Sequence, residues 1–458
     1  VTVPTAAPRF TCPAGTFLGR PDDGVVRATG IRYARAERWA PPVPEPPADG
    51  PVDATAWAPA CPQPHDAGAD VLIGPGVLGE LPFDEHCQRL SVTVPADAAP
   101  GDRLPVMVEI HGGAYVFGAG DAPLNDPAAL VREQRVVAVT VTYRLGLFGY
   151  LGSPGGRPAN LGLLDQIEAL RWVRRNIAGF GGDPDAVTLF GSSAGGDAIA
   201  HLMIADGAEG LFRRGILQSP PLGIARGRSA MATAMARATA HLSADTPVEE
   251  VVALQDRVAR AARRHGVFTG GMPFGTQYGF PPLPAEDEAE EAWIRAAPGV
   301  DVLVGRTDRE GAMFVPTPVA NALDRVPGVG ARLREALVTT ITRRVYDTAV
   351  DAFVRRHAQA GGRAHRYLLR YGHPDNPLAD SHCTDLPLLF PDRALWSSAP
   401  LLHGVPWADV ERHGRALRRL WADFARTGEA SSVPGLITVT RPVLPGRSAS
   451  TAPARAQA

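Results

Sequence analysis

One stretch, Val187-Thr188-Leu189-Phe190-Gly191-Ser192-Ser193-Ala194-Gly195-Gly196, constrains the fold more than any other. An apolar run ends in Gly-x-Ser-x-Gly, and small residues lead from it into a helical pattern spanning Asp197 to Met203. A serine at such a strand-to-helix turn occupies a strained backbone that lifts its hydroxyl clear of the sheet. Glycines two positions before and two after it let strand and helix approach without a Cβ clash. Gly and Ser are also ordinary turn residues, so the motif gains meaning only if the rest of the chain supplies partners for Ser193.

The flanking chain alternates in the required way. Leu104 to Ile110 is a short apolar run that enters the tight loop His111-Gly112-Gly113, and Val136 to Tyr143 is β-branched, as strands are. Leu161 to Ile177 carries Leu164, Ile167, Leu170 and Val173 at helical spacing, with Arg171, Arg174 and Arg175 on the polar face. Arg214 to Gln218, Val302 to Gly305 and His365 to Tyr371 read as further strands, while 228–265, 331–358 and Val410 to Thr427 read as helical and Phe268 to Pro284 as loop. Strand and helix in alternation predict an α/β fold, a large mostly parallel central sheet with helices on both faces. Residues 1–60 read as short strands and loops over one sheet edge, and Cys61 to Cys87 as an irregular loop. The expected organisation is one catalytic domain over 1–430, with helical and loop insertions at about 222–300 and 315–360 covering the pocket, and a partly disordered extension over 431–458.

Composition narrows the chemistry. Charged residues make up 21% and hydrophobic ones 45% of 458 residues, as in ordinary soluble globular proteins. A formal charge of −2 leaves no electrostatic footprint for nucleic acid or an anionic membrane, and no apolar run reaches the ~18 residues of a spanning helix. The first residues lack the charged-then-apolar pattern of a leader, which leans towards the cytoplasm. There is no lysine, so all 46 basic residues are arginine. That excludes a Ser-Lys dyad, a Schiff-base lysine and a P-loop lysine, and leaves histidine as the base for Ser193 near neutral pH. Cys12, Cys61, Cys87 and Cys383 show no Cys-x-x-Cys spacing, so no zinc or redox site is expected, nor any other cofactor or metal. Cys61 and Cys87 could close one loop, which would stabilise by about 3–4 kcal/mol and would lean towards export.

An acid and then a histidine should follow the serine. His373, His382 and His403 lie far enough along, and His382 sits in the polar loop Asp380-Ser381-His382-Cys383-Thr384-Asp385. Asp308 and Glu310 are the acids on the loop after the Val302 strand. His111-Gly112-Gly113-Ala114 offers consecutive backbone N–H groups, and the N–H of Ala194 would complete an oxyanion site. Such donors meet charge that develops only in the transition state and contribute about 2.7–4 kcal/mol each.

These stretches, together with Asn160-Leu161-Gly162-Leu163-Leu164-Asp165-Gln166, Phe180-Gly181-Gly182-Asp183-Pro184, Tyr143-Arg144-Leu145-Gly146, Gly30-Ile31-Arg32-Tyr33-Ala34, Ala60-Cys61-Pro62-Gln63 and Trp421-Ala422-Asp423-Phe424-Ala425-Arg426-Thr427-Gly428, resemble the type-B carboxylesterase (cholinesterase-like) family of α/β-hydrolases. The resemblance runs from about Thr16 to Gly428. It implies a serine carboxylesterase with Ser193 as nucleophile, His382 as base and Glu310, in Arg309-Glu310-Gly311, as the acid in preference to Asp308. It further implies Gly113, Ala114 and Ala194 as oxyanion donors, Cys61–Cys87 as a disulfide, and Arg38–Glu85 and Arg144–Asp165 as ion pairs. Ser192 replaces the glutamate that usually precedes the nucleophile, and no tryptophan lies between Cys61 and Cys87, so a small uncharged ester is expected rather than a choline ester. Tyr115, Phe117, Leu222, Phe274, Phe280 and Phe314 are the expected pocket walls, with Ser192 among them. Alternatives are the same machinery used on a thioester, a carbamate or for acyl transfer and cyclisation, and a non-catalytic binding relative. Oligomeric state is open between monomer and dimer.

Overall fold

A computed structural model of the chain describes residues 7–65, 67–153 and 156–443. Ten strands form the main sheet. In chain order they are β1 (Arg20–Asp22), β2 (Val25–Arg32), β3 (Arg89–Pro95), β4 (Leu104–Ile110), β5 (Val137–Thr142), β6 (Gly182–Ser192), β7 (Arg214–Gln218), β8 (Asp301–Thr307), β9 (Ala364–Leu369) and β10 (Ile437–Thr440). Their spatial order is β10-β9-β8-β7-β6-β4-β5-β3-β2-β1. The run from β9 to β5 is parallel, and the strands outside it, β10 on one side and β3, β2 and β1 on the other, pair antiparallel. The sheet is thus mostly parallel at its centre and mixed overall, an α/β-hydrolase fold.

Parallel strands need crossovers, and the crossovers cover both faces. Helices α1 (Ala128–Gln134), α2 (Leu161–Asn176), α3 (Ala194–Leu202) and α4 (Trp407–Thr427) carry most of that cover near the nucleophile. Leu163 and Ile167 of α2 and Ala198 and Ile199 of α3 share one core with Val106, Val108 and Leu189. Leu130 of α1 and Leu417 and Trp421 of α4 share the opposite core with Met107, Phe190 and Ile216. Alternation along β4 and β6 therefore sends odd and even positions to different cores, as a pleated strand must. Helix α4 buries Val410, Leu417, Leu420, Trp421 and Phe424 at helical spacing. It stops at Gly428, whose left-handed backbone lets its N–H bond the Phe424 carbonyl at 2.8 Å.

Two strands, β3 and β10, go beyond those expected from the sequence. β3, Arg89–Pro95, follows the Cys61–Cys87 loop and pairs with both β5 and β2. β10 falls inside the 431–458 stretch and closes one sheet edge against β9. Residues 444–458 of the expected 431–458 extension lie outside the described residues. No helix among the described residues is long and apolar enough to cross a membrane.

Candidate functional site

The Ser193 backbone has φ 58° and ψ −122°, a conformation costly for any residue with a side chain. It is held at both ends: the Ser193 N–H donates to the Gln218 carbonyl of β7 at 2.8 Å, and its carbonyl accepts the Asp197 N–H at 3.0 Å. A Cβ at Gly191 or at Gly195 would clash with the same atom, the Ile110 carbonyl at the end of β4. The two motif glycines thus have one steric reason, close passage of strand and helix over the neighbouring strand end.

The loop leaving β4 is unusually left-handed, with φ 103° at Gly113, 52° at Ala114 and 63° at Tyr115. The Gly113 carbonyl accepts the N–H groups of Val116 and Phe117 at 2.9 and 3.0 Å, which closes the turn, and a Cβ on Gly113 would collide with the Phe117 backbone. Among the described residues, no protein acceptor takes the N–H of Gly113, Ala114 or Ala194.

Glu310 is wholly buried on the turn after β8. Its Oε2 lies 2.5 Å from His382 Nδ1, and its Oε1 accepts from Ser219 Oγ at 2.5 Å and from the Thr307 N–H at 2.7 Å. Asp308, the competing acid, instead binds Arg370 at 2.7 Å at the surface. His373 and His403 do not line the cavity that His382 and Ser193 border. The imidazole of His382 packs against Phe314 and Tyr346, with ring centroids 5.2 and 5.3 Å away. Its Nε2 is buried with no hydrogen-bond partner among the described residues, so Ser193 and His382 line one cavity without a hydrogen bond between them. Burial works against a charged imidazole, but the adjoining Cys383 side chain and the Glu310 carboxylate outweigh it and hold the His382 pKa well above its ordinary value.

A device not visible in the sequence joins acid and base. The Arg309 N–H donates to the Asp380 carbonyl at 2.8 Å, and its guanidinium reaches the Ala379 carbonyl at 3.1 Å while pairing with Glu335 at 2.7 Å. The residue before the acid therefore clamps the loop that carries the histidine, itself bent through left-handed Asp380 and Cys383.

The cavity beside Ser193 has a volume of about 340 Å³. Of the expected walls, Ser192, Phe117 and Phe314 line it. Tyr115 does not: it is fully buried and its hydroxyl donates to Asp197 at 2.6 Å. Phe274 is buried in the α2–α3 core, and Leu222 packs against that same core. Phe280 lines a separate cleft with Tyr278. The apolar wall comes from Leu72, Ile73, Leu124, Phe190, Leu386 and Phe390, on segments far apart in sequence. Glu109 and His111, on or just after β4, also line it.

The expected Cys61–Cys87 bridge requires correction. Both residues are free thiols, fully buried side by side, and Cys61 Sγ accepts the Leu145 N–H at 3.3 Å. Burial, reinforced by the neighbouring Cys61, pushes the Cys87 thiol well up, which suppresses the thiolate that disulfide exchange requires. The ion pairs are present: Arg38 with Glu85, and Arg144 with Asp165 at 2.7 Å, the second pair buried. No cluster of three or more metal-ligating side chains occurs among the described residues.

The family model described as "Carboxylesterase family" matches residues 8–326. The chain is 39% identical over 427 residues to a probable N-octanoylanthranilate hydrolase from Rhodococcus erythropolis, covering 92% of this chain and 93% of that protein. It is 33% identical to the para-nitrobenzyl esterase of Bacillus subtilis strain 168, over 91% of this chain and 89% of that one. A solved structure of a thermophilic PNB esterase superposes with a TM-score of 0.76 at 29% identity, covering 93% of this chain and 92% of its own.

Proposed function

The chain belongs to the carboxylesterase family and is a carboxylic-ester hydrolase, and from that premise we propose that it cleaves uncharged carboxylic esters by acyl transfer through Ser193, His382 and Glu310. The observation that carries this reading is the buried Glu310–His382 pair at 2.5 Å opening onto the same cavity as the strained Ser193. Ser193 Oγ attacks the ester carbonyl while His382 Nε2 takes its proton, and Glu310 at Nδ1 fixes the tautomer and offsets the positive charge that forms. The N–H groups of Gly113, Ala114 and Ala194 receive the oxyanion. Collapse of the tetrahedral intermediate expels the alcohol with the proton held on His382. Water, deprotonated by the same imidazole, then attacks the acyl-serine and releases the acid. The mainly apolar wall favours an uncharged ester over a choline ester. Ser193→Ala should remove hydrolysis of a short-chain p-nitrophenyl ester while the circular dichroism spectrum and melting transition stay in place. Retention of wild-type turnover in that folded variant ends the proposal.

A second leaving group has one specific observation behind it. The Rhodococcus relative is named for an N-acylated substrate, and acyl transfer through Ser193 serves an N-acyl bond as well as an ester once the leaving nitrogen is protonated by His382. Parallel assays with matched ester and anilide substrates, reading kcat/KM for each, order the two.

A further inference from the structure

Glu109 breaks an otherwise apolar strand, and the ester-cleaving steps above give it no task. It is 3% exposed, lines the cavity beside Ser193, and its Oε2 has no hydrogen-bond partner among the described residues. Two more cavity-lining residues share that condition. Ser192 is 6% exposed with an unpartnered Oγ, and His111 is 1% exposed with an unpartnered Nε2. Sheet register explains why these three converge. Glu109 of β4 is opposite Phe190 of β6, whose ring belongs to the α4-side core, and Ser192 stands two residues further along that strand on the same face. His111 stands two residues beyond Glu109. Three residues, each with a buried and unpartnered polar atom, thus line one cavity from neighbouring strands, where most buried polar groups of a folded protein find a partner.

We propose that Glu109, Ser192 and His111 form a polar subsite that holds an uncharged hydroxyl-type group of the ester, one that both donates and accepts hydrogen bonds. The inference rests on the esterase reading and names a substrate feature for the same cavity. The donor and acceptor pattern selects the ligand. His111 Nδ1 lies 2.9 Å from the Gly112 carbonyl, which can only accept, so Nδ1 carries the proton and Nε2 is an acceptor. Burial holds the His111 pKa down at about 4, which keeps the ring neutral. Among the described residues no arginine lines the cavity, and burial pushes the Glu109 carboxyl well up, which favours the protonated form that can donate as well as accept. Ser192 does either. A carboxylate cannot donate to His111, and an alkyl terminus leaves all three groups unpaired. A hydroxyl satisfies an acceptor and a donor together. Ser193 is three residues past Phe190, so the group sits within roughly 10 Å of the scissile carbonyl, measured as extended chain.

The test uses the full-length enzyme and two ester series, one carrying a terminal hydroxyl on the acyl chain and one on the alcohol chain, each with its methyl-terminated isostere. Chain lengths span roughly 10 Å. The readout is the kcat/KM ratio of hydroxyl to methyl ester. In one series the wild type should favour the hydroxyl, and the ratio should fall about tenfold in Glu109→Leu, as loss of a buried hydrogen bond does. Glu109→Gln, whose amide also donates and accepts, should keep most of the ratio, and Ser192→Ala supplies the same test if the leucine variant does not fold. A ratio that is unchanged in both Glu109→Leu and Ser192→Ala overturns the proposal, as does a Glu109→Gln ratio as low as that of the leucine variant. Stronger preference for a trimethylammonium-terminated ester would make Glu109 a counter-ion and overturns it too. Cleavage of every ester without hydroxyl preference removes the subsite alone, whereas no cleavage by the wild type removes the esterase reading as well.

Discussion

Ser193 and Glu310 reach their states by different physics. Ser193 is exposed to the cavity because its backbone is strained, and the strain is held by two backbone hydrogen bonds and two glycines under the Ile110 carbonyl. Glu310 is held in a buried site by accepting three hydrogen bonds, from His382, Ser219 and Thr307. Its charge in turn helps hold the His382 pKa above the ordinary histidine value. In the proposed mechanism the neutral imidazole is the base, so kcat/KM should rise with pH along a limb displaced above the usual histidine range. In Glu310→Gln the charge is gone, so that limb should move to lower pH, while an amide N–H aimed at Nδ1 selects the wrong tautomer and kcat drops by up to about 10⁴-fold. A pH–rate profile of both proteins checks the direction; a limb that stays in place in the variant refutes the electrostatic role. The candidate residues were legible in the sequence because elbow and glycine loop are short local patterns and the family resemblance picked out Glu310 and His382 among the acids and histidines that follow. Pocket walls were not. Tyr115 follows the glycine loop directly, yet its left-handed backbone turns it to Asp197 and the core, while Phe117 two residues later lines the cavity.

At the level of elements, acid and base sit on loops joined by Arg309. Its backbone bonds Asp380, and its side chain reaches Ala379 and Glu335, so the loop after β8 and the loop after β9 behave as one piece. Arg309→Ala should loosen the spacing of His382 relative to Ser193. Misplacement on the order of 1 Å costs up to about 10²-fold in rate, so kcat should fall with little change in KM, and Arg309→Lys should recover part of it. Equal effects on kcat of the alanine and lysine variants, or a change in KM alone, would count against a positioning role. The sequence showed an arginine beside the acid but not its partner, because Asp380 is brought there by the β8–β9 pairing, more than sixty positions on. β3 and β10 escaped the reading for a related reason: a strand's partners, more than its own pattern, decide whether a short segment joins a sheet.

Across the whole molecule, the buried Arg144–Asp165 pair ties the strand-to-loop exit of β5 to α2, and Asp165 also accepts the Arg144 N–H at 3.1 Å. Arg144→Ala leaves the Asp165 charge without a partner in the core and should cost about 3–5 kcal/mol. Denaturant unfolding should report that loss, while kcat/KM of the protein still folded at low temperature stays close to wild type; a fall in activity without loss of stability would place Arg144 in the chemistry instead. Sequence alone determined the α/β layering and the elbow, since hydrophobic periodicity and strained turns are local properties that a chain carries wherever it folds, while the choice of Glu310 over Asp308 and of His382 over His373 and His403 came from the family resemblance. Tertiary structure alone decided which aromatics face the cavity, that Cys61 and Cys87 stand as adjacent free thiols, and that Glu109, Ser192 and His111 share one wall. Those depend on register between strands and on side-chain direction. Ser193, the residue most evident in the sequence, therefore sits beside a polar subsite that only the pairing of β4 with β6 brings into view.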